Sequence, residues 1–290
     1  MESETKLPRD RLEGQVALVT GAGRGIGRAI AERCAAAGMR TALLARSRDQ
    51  LEETAEGLRA AGGEALVLPA DVTEPARMAE SVARLKQTWG DIHLAVAAAG
   101  ILSSIGPLWE TDPDEWRDDL LVNVFGVYCT CRAVVPHMVA AGRGRVIALV
   151  GGGVHAPFPH VSAYAAGKAG VMRLVENLAV ELDAAASPVR VLAVTPGFIR
   201  TGMTEQFAAS ERGRRWMKPM AERLETGRDT TPDHVADLVI ATAGGRLDAF
   251  HGRFLSAPQD APRLDRLPAE GQRLAGTDGR KLRIEGFEKR

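Results

Sequence analysis

Residues 15–27, QVALVTGAGRGIG, decide how the chain reads. A valine-rich apolar run, Gln15–Thr20, passes directly into a glycine-rich turn. From Ile26 to Ala37 the spacing becomes helical, and Gly38 ends it. Strand, glycine turn and helix in that order form the setting in which backbone binds phosphate. The glycines permit a sharp turn and close approach to a pyrophosphate, while the helix start offers free N–H groups and a positive dipole end. Glycines also serve plain loops, so this turn needs support from the rest of the chain.

Outward from it, strand-like and helix-like segments alternate. Thr41–Ala45, Glu64–Ala70, Ile92–Ala98, Val146–Val150 and Val189–Thr195 read as strands, and Phe254–Ala257 as a short last one. Between them lie a charged helix stopping at Gly62-Gly63, a helix over Glu74–Trp89 with Pro75 in its first turn, a long helical stretch from Pro113 to Ala141, and Ser162–Ala186. This alternation implies an α/β fold, a parallel sheet with helices on both faces and right-handed crossovers. It predicts a single domain over residues 12–257, after a polar segment at 1–11. The charged tail at 258–290, rich in proline and glycine, is expected to be irregular or to wrap a neighbouring surface.

With 45% hydrophobic and 26% charged residues the chain has the makings of a sizeable core. Basic and acidic residues both number 37, which gives no electrostatic case for nucleic acid or an anionic membrane. No apolar run approaches the roughly 18–20 residues that span a bilayer. The amino terminus, MESETKLPRDRLEG, lacks the apolar core of a signal peptide. Cys34, Cys129 and Cys131 have neither metal-ligand nor CxxC spacing, so no metal site is read. They are expected to be thiols in a reducing cytoplasm.

The second strand selects the nucleotide. A carboxylate near its end would hold the ribose hydroxyls of NAD. Here Ala45 stands there, followed by Arg46, with Arg48 close by and Arg24 in the glycine turn. Arginine forks onto a ribose phosphate that an aspartate would repel. NADP is therefore favoured over NAD.

On the helix from Ser162, Tyr164 and Lys168 stand one turn apart and share a face. A lysine cation beside the phenol lowers its pKa towards the working pH. Tyr164 then suits proton exchange with a carbonyl or an alcohol.

Taken together, TGAGRGIG, the YxxxK pair, Asn123 within VNVFG and Pro196-Gly197 after the sixth strand resemble the short-chain dehydrogenase/reductase family, in order and at its spacing. The resemblance covers about residues 12 to 257. It implies a Rossmann-type doubly wound sheet in strand order 3-2-1-4-5-6-7, and a Ser-Tyr-Lys-Asn catalytic set. By motif position Tyr164 would be the general acid/base, and Lys168 would bind the nicotinamide ribose. Asn123 would kink its helix and hold a water in a proton relay. Gly21, Arg24, Gly25, Ile26, Gly27, Arg46 and Gly100 would line the cofactor. Asp71-Val72 resembles the adenine-contacting pair, and Ile199 and Thr201 match positions near the carboxamide and phosphates. The helices carrying Asn123 and Tyr164 commonly pair between subunits in this family, which implies a homodimer or homotetramer.

Two departures stand out. The family's NNAG-like stretch reads Ala97-Ala98-Ala99-Gly100 here, a loss of a chiefly structural asparagine. After the fifth strand, where the substrate-orienting serine belongs, the chain reads Val150-Gly151-Gly152-Gly153-Val154-His155. Neither Gly151 nor Val150 carries a hydroxyl. Losing one such donor costs about 10²–10³ in rate. His155, His160, Ser162 or a hydroxyl on the substrate itself are the candidate substitutes, although Ser162 also reads as a helix N-cap. The glycines leave space for a bulky substrate beside the nicotinamide.

Residues 202–228 read as a lid whose arginines are either solvated or turned to an acidic substrate, with Trp216, Met217 and Met220 covering it. Two functions remain open at this level. One is an NADP-dependent oxidoreductase interconverting a ketone and a secondary alcohol. The other is a non-redox dehydratase, isomerase or cyclase, or a cofactor-binding protein.

Overall fold

The computed structural model describes residues 12–226 and 230–282. The polar segment 1–11 lies outside them. Seven parallel strands form one sheet in the order β3-β2-β1-β4-β5-β6-β7. They are β1 (Val16–Thr20), β2 (Arg40–Ala45), β3 (Ala65–Pro69), β4 (Leu94–Ala97), β5 (Arg145–Leu149), β6 (Arg190–Thr195) and β7 (Phe254–Ser256). Strands β1 and β4 are buried along their whole length, which is why they read as continuous apolar runs rather than alternating ones.

One face of the sheet carries α1 (Gly25–Ala36), α2 (Arg48–Ala60) and α10 (Pro232–Ala243) over a core that includes Val19, Ile30, Leu43 and Leu238. The other carries α3 (Pro75–Trp89), α5 (Gly126–Ala140) and α6 (Ser162–Ala184) over Leu18, Met78, Val134 and Val171. The strand order reverses between β1 and β4, and a doubly wound sheet places its ligand crevice at such a point.

The long helical stretch is two helices, α4 (Pro113–Leu120) and α5, joined by a π-turn at Leu121–Phe125. An 18-residue window within Pro113–Ala140 has a mean hydropathy of 1.3, so by length and composition alone the stretch is apolar enough to cross a membrane, contrary to the reading that no run approaches that length. Here the stretch packs on the sheet through Val127, Cys131, Val134 and Met138.

The described part of the tail, residues 258–282, wraps the domain as one of its two expected alternatives had it, but in helical rather than irregular form. It folds into two short helices, α11 (Ala257–Asp260) and α12 (Leu267–Arg273), bridged by a 3₁₀ segment. Leu267 enters the core on the α10 side. Asp260 is fully buried and accepts from the Ser256 N–H and from both arms of Arg280, at 2.7 and 2.9 Å. Arg280 also reaches Glu270, and Arg253 donates to the carbonyls of Leu274, Thr277 and Gly279. The charges that look solvent-bound in sequence are spent on one another.

Candidate active site

The glycine turn is built by close backbone approach. A β-carbon on Gly27 would lie 2.2 Å from the Gly21 carbonyl oxygen, and one on Gly21 would lie 2.9 Å from Cα of Ala99. Gly21 and Gly25 adopt φ of +68° and +57°, which glycine reaches without strain. Nearby, Thr20 Oγ1 accepts the N–H groups of Ala98 and Ala99 at 3.1 and 3.2 Å. That hydroxyl braces the end of β4 where the family pattern has an asparagine.

A cleft of about 750 Å³ opens over these strand ends. Gly21, Arg24, Gly25, Ile26, Gly27 and Arg46 line one end, with Asp71 and Val72. Gly100, Pro196, Gly197, Ile199 and Thr201 line its middle. The Arg46 side chain is 70% exposed, and its nearest acid, Asp71, stands 3.9 Å away. Asp71 is itself engaged by the N–H and hydroxyl of Thr73. No carboxylate follows β2 directly, so Arg46 and Arg24 give this end a positive rim. The glycine cradle and that rim fit a dinucleotide with an extra phosphate.

At the other end α6 brings Tyr164 and Lys168 to the cleft wall. Lys168 Nζ donates to the Leu149 carbonyl at 2.9 Å and lies 5.5 Å from the centre of the tyrosine ring. The expected lowering of the phenol pKa is not what the chain alone produces. Burial, with the Asp119 charge adding to it, pushes Tyr164 up to about 12. Burial pulls Lys168 down to about 8. Both groups lack water, and the lysine proton goes to a carbonyl rather than to the phenol, so desolvation outweighs the pairing.

Asn123 stands within the π-turn, fully buried and one layer behind the cleft. Its Nδ2 donates to the carbonyls of Ile101 and Asp119 at 2.7 and 2.9 Å, and its Oδ1 accepts the Ile101 N–H. A β-carbon on Gly100 would meet that Oδ1 at 2.8 Å. The kink thus lets the amide side chain brace the loop after β4. Asp119, one turn before Asn123, was missed by sequence reasoning. Its carboxylate accepts from the N–H groups of Ser103 and Ser104, and burial raises its pKa.

The glycine run after β5 holds no spare room. A β-carbon on Gly151 would sit 2.5 Å from the Tyr164 hydroxyl oxygen. One on Gly152 would sit 2.6 Å from the Phe158 ring, and one on Gly153 2.5 Å from Ala165 Cβ. Gly151, Gly152 and Gly153 nonetheless line the cleft, together with Tyr164 and Phe158. His155 lines the cleft and also packs against Phe254, 4.3 Å between ring centres with the rings tilted by 45°, and its pKa is lowered by burial. Ser162 does not cap α6, whose N-cap is Val161; its Oγ accepts from Trp116 Nε1 at 3.0 Å. His160 takes a left-handed φ of +67° and stacks on Trp216.

The lid is α7 (Gly202–Ala209), α8 (Glu211–Trp216) and α9 (Lys218–Glu225). Thr201 caps α7, accepting the Thr204 N–H. Trp216 lies between His160 and Arg215 rather than on the cleft wall, which corrects its reading as a substrate contact. Met217 is buried beneath, whereas Met220 does face the cleft. Arg212 forks onto Glu115 at 2.6 and 2.8 Å, and Arg214 donates to the Ala209 carbonyl. The remaining wall residues, Leu102, Phe158, Phe198, Met203 and Phe207, were not foreseen. Apolar residues in loops, or on a helix as short as α7, carry no periodic signal that marks them as wall rather than core.

The short chain dehydrogenase profile matches residues 15–212. The chain is 36% identical over 244 residues to 2-(R)-hydroxypropyl-CoM dehydrogenase of Xanthobacter autotrophicus, covering 83% of this chain and 96% of that one. It is 30% identical over 240 residues to 2,3-dihydro-2,3-dihydroxybenzoate dehydrogenase of Bacillus subtilis, covering 81% and 91%. Among solved structures, a short-chain dehydrogenase/reductase from Mycobacterium marinum aligns with a TM-score of 0.75 at 30% identity, over 84% of this chain and 94% of that one. A metagenomic short-chain oxidoreductase in complex with NADP aligns with a TM-score of 0.66 at 32% identity, over 81% and 92%. The class these matches define is that of oxidoreductases which bind nicotinamide cofactors. The chain belongs to the short-chain dehydrogenase/reductase family, whose members act on CH–OH groups and their carbonyls.

Proposed function

We propose that this enzyme interconverts a ketone and a secondary alcohol with NADP as its hydride carrier. The observation that carries the reading is one continuous cleft, with the glycine turn and Arg46 at one end and Tyr164 with Lys168 at the other. When bound, the nicotinamide supplies or accepts the hydride. Gly21, Gly25 and Gly27 cradle the pyrophosphate, and Arg24 and Arg46 hold the ribose phosphate. Asp71 and Val72 flank the adenine, with Gly100, Pro196, Gly197, Ile199 and Thr201 along the middle. Tyr164 Oη holds the proton exchanged with the reacting oxygen. Lys168 orients the nicotinamide ribose and supplies the nearby cation, while Asn123 keeps the loop after β4 in register. Preference for NADP over NAD rests on Ala45-Arg46, where an NAD enzyme would carry a carboxylate.

The missing serine hydroxyl favours the second reading, non-redox chemistry on the same scaffold. Titration with NADPH and NADH, followed by nicotinamide fluorescence, tests the cofactor. Binding of NADPH at least tenfold tighter than NADH is expected, and binding of neither overturns the proposal. A panel of ketones and alcohols, run beside Tyr164→Phe, tests the reaction. Bound cofactor with no redox change across the panel would transfer the case to the non-redox reading. We further propose a cytoplasmic homo-oligomer joined through α5 and α6, which expose Tyr128 and Val180.

A further inference from the structure

We propose that the substrate is an uncharged ketone, or its alcohol, whose substituents are aliphatic or aromatic. The proposal rests on the redox reading above and adds the chemical class. Beyond Tyr164 the cleft wall is formed by Leu102, Phe158, Phe198, Met203, Phe207 and Met220. Most of these belong to one apolar cluster backed by buried Met217 and Leu224, so the wall has an oily layer behind it. The hydroxyl of Thr204, also on the wall, is turned back to the carbonyls of Ile199 and Thr201. Besides Tyr164 and Lys168, His155 is the titratable group at this end among the described residues, and burial favours its neutral form.

The charges near the lid are engaged elsewhere. Arg212 is forked onto Glu115, Arg214 onto the Ala209 carbonyl, and Arg215 lies over Trp216. Arg223 lies over Phe198, and Lys218 pairs with Glu222 at 3.7 Å. Among the described residues, the charged groups on the cleft wall are Arg24, Arg46 and Asp71 at the far end, and Lys168, which is tied to Leu149. A carboxylate entering past Tyr164 would lose water and, among the described residues, meet no cation but Lys168, whose Nζ is held by the Leu149 carbonyl. An apolar group of the same shape would gain by leaving water.

The test uses the full chain saturated with NADPH and two matched ketones, methyl 4-acetylbenzoate and 4-acetylbenzoate. They share the reacting carbonyl and differ in one charge. Binding is read by quenching of the bound NADPH fluorescence, and reduction by its disappearance. The ester is expected to bind at least tenfold tighter and to show the higher kcat/KM. Met220→Lys, or Leu102→Lys should the first variant not fold, is expected to narrow that gap by strengthening anion binding. Equal or tighter binding of the anion overturns the proposal, as does binding of neither ketone. If the ester binds preferentially but neither ketone is reduced, the substrate class stands and the redox reading falls.

Discussion

Two glycine runs follow strands of the same sheet, and they do opposite things with the same missing side chains. At Gly21 and Gly27 the space left by the absent β-carbons is taken by backbone, the Gly21 carbonyl against Gly27 and Ala99 against Gly21, while Gly23 faces the Gln50 side chain. Backbone cannot swing aside, so the turn is rigid and its N–H groups stay fixed for a ligand. At Gly151 and Gly152 the space is taken by side chains, those of Tyr164 and Phe158, and at Gly153 by Ala165, its backbone included. There the glycines admit the protein's own groups and draw the phenol inward. A glycine run signals close approach, and the neighbour decides what approaches.

The largest effect that sharpens this contrast is on chemistry. Tyr164→Phe keeps the ring against Gly151 and removes the hydroxyl, and should lower turnover by about 10²–10⁴ with NADPH binding retained. Gly27→Ala should be nearly as severe but structural. Its methyl meets a carbonyl that cannot move, costing about 3 kcal/mol, several degrees in thermal denaturation, along with NADPH affinity. Arg46→Glu should weaken NADPH by roughly 10–100-fold and narrow the preference over NADH, read by fluorescence titration. Gly151→Ser should fold but not repair the enzyme. Its Cβ falls 2.5 Å from the Tyr164 oxygen. The phenol must swing outward, and turnover should fall by about tenfold. A rise in turnover would break the comparison.

The smallest effect is a titration. In Tyr128→Phe, Tyr164 is the sole tyrosine, and its ultraviolet absorbance without cofactor should give a midpoint near 12 rather than 10. Adding Gly151→Ser to that variant should move the midpoint down, as the phenol gains water. Stability carries the matching signs. Tyr164 binds its proton more tightly folded than unfolded, so stability falls as pH rises from 10 to 12. Lys168 binds its proton less tightly folded, so its contribution rises from pH 8 to 10.5, and Lys168→Met should flatten that rise.

Much of the fold was legible because parallel strands buried on both faces cannot hide their apolar runs. The Gly38 and Gly62-Gly63 signals also marked helix ends. The cleft's cofactor side was legible for a related reason: its positions hang on strand ends whose order the alternation dictates. The place of the Tyr164 hydroxyl was not, since it depends on how closely α6 approaches the loop after β5. Trp216 failed as a wall residue because a short helix can turn either face inward, and the stacking on His160 decides it. The tail misled through composition. Asp260, Arg280 and Glu270 look like surface charge until the chain is folded and they find one another.

That closure has a consequence at the margin of the sheet. The outward N–H of Phe254, on the last strand, donates to the Arg280 carbonyl at 3.0 Å. An open strand edge is a template on which a foreign strand can add. Here Arg280 takes that position, and its side chain, bridged to Asp260 and Glu270, pins it there. The sheet stops at seven strands by self-capping, so trimming the tail would convert a finished border into an adhesive one.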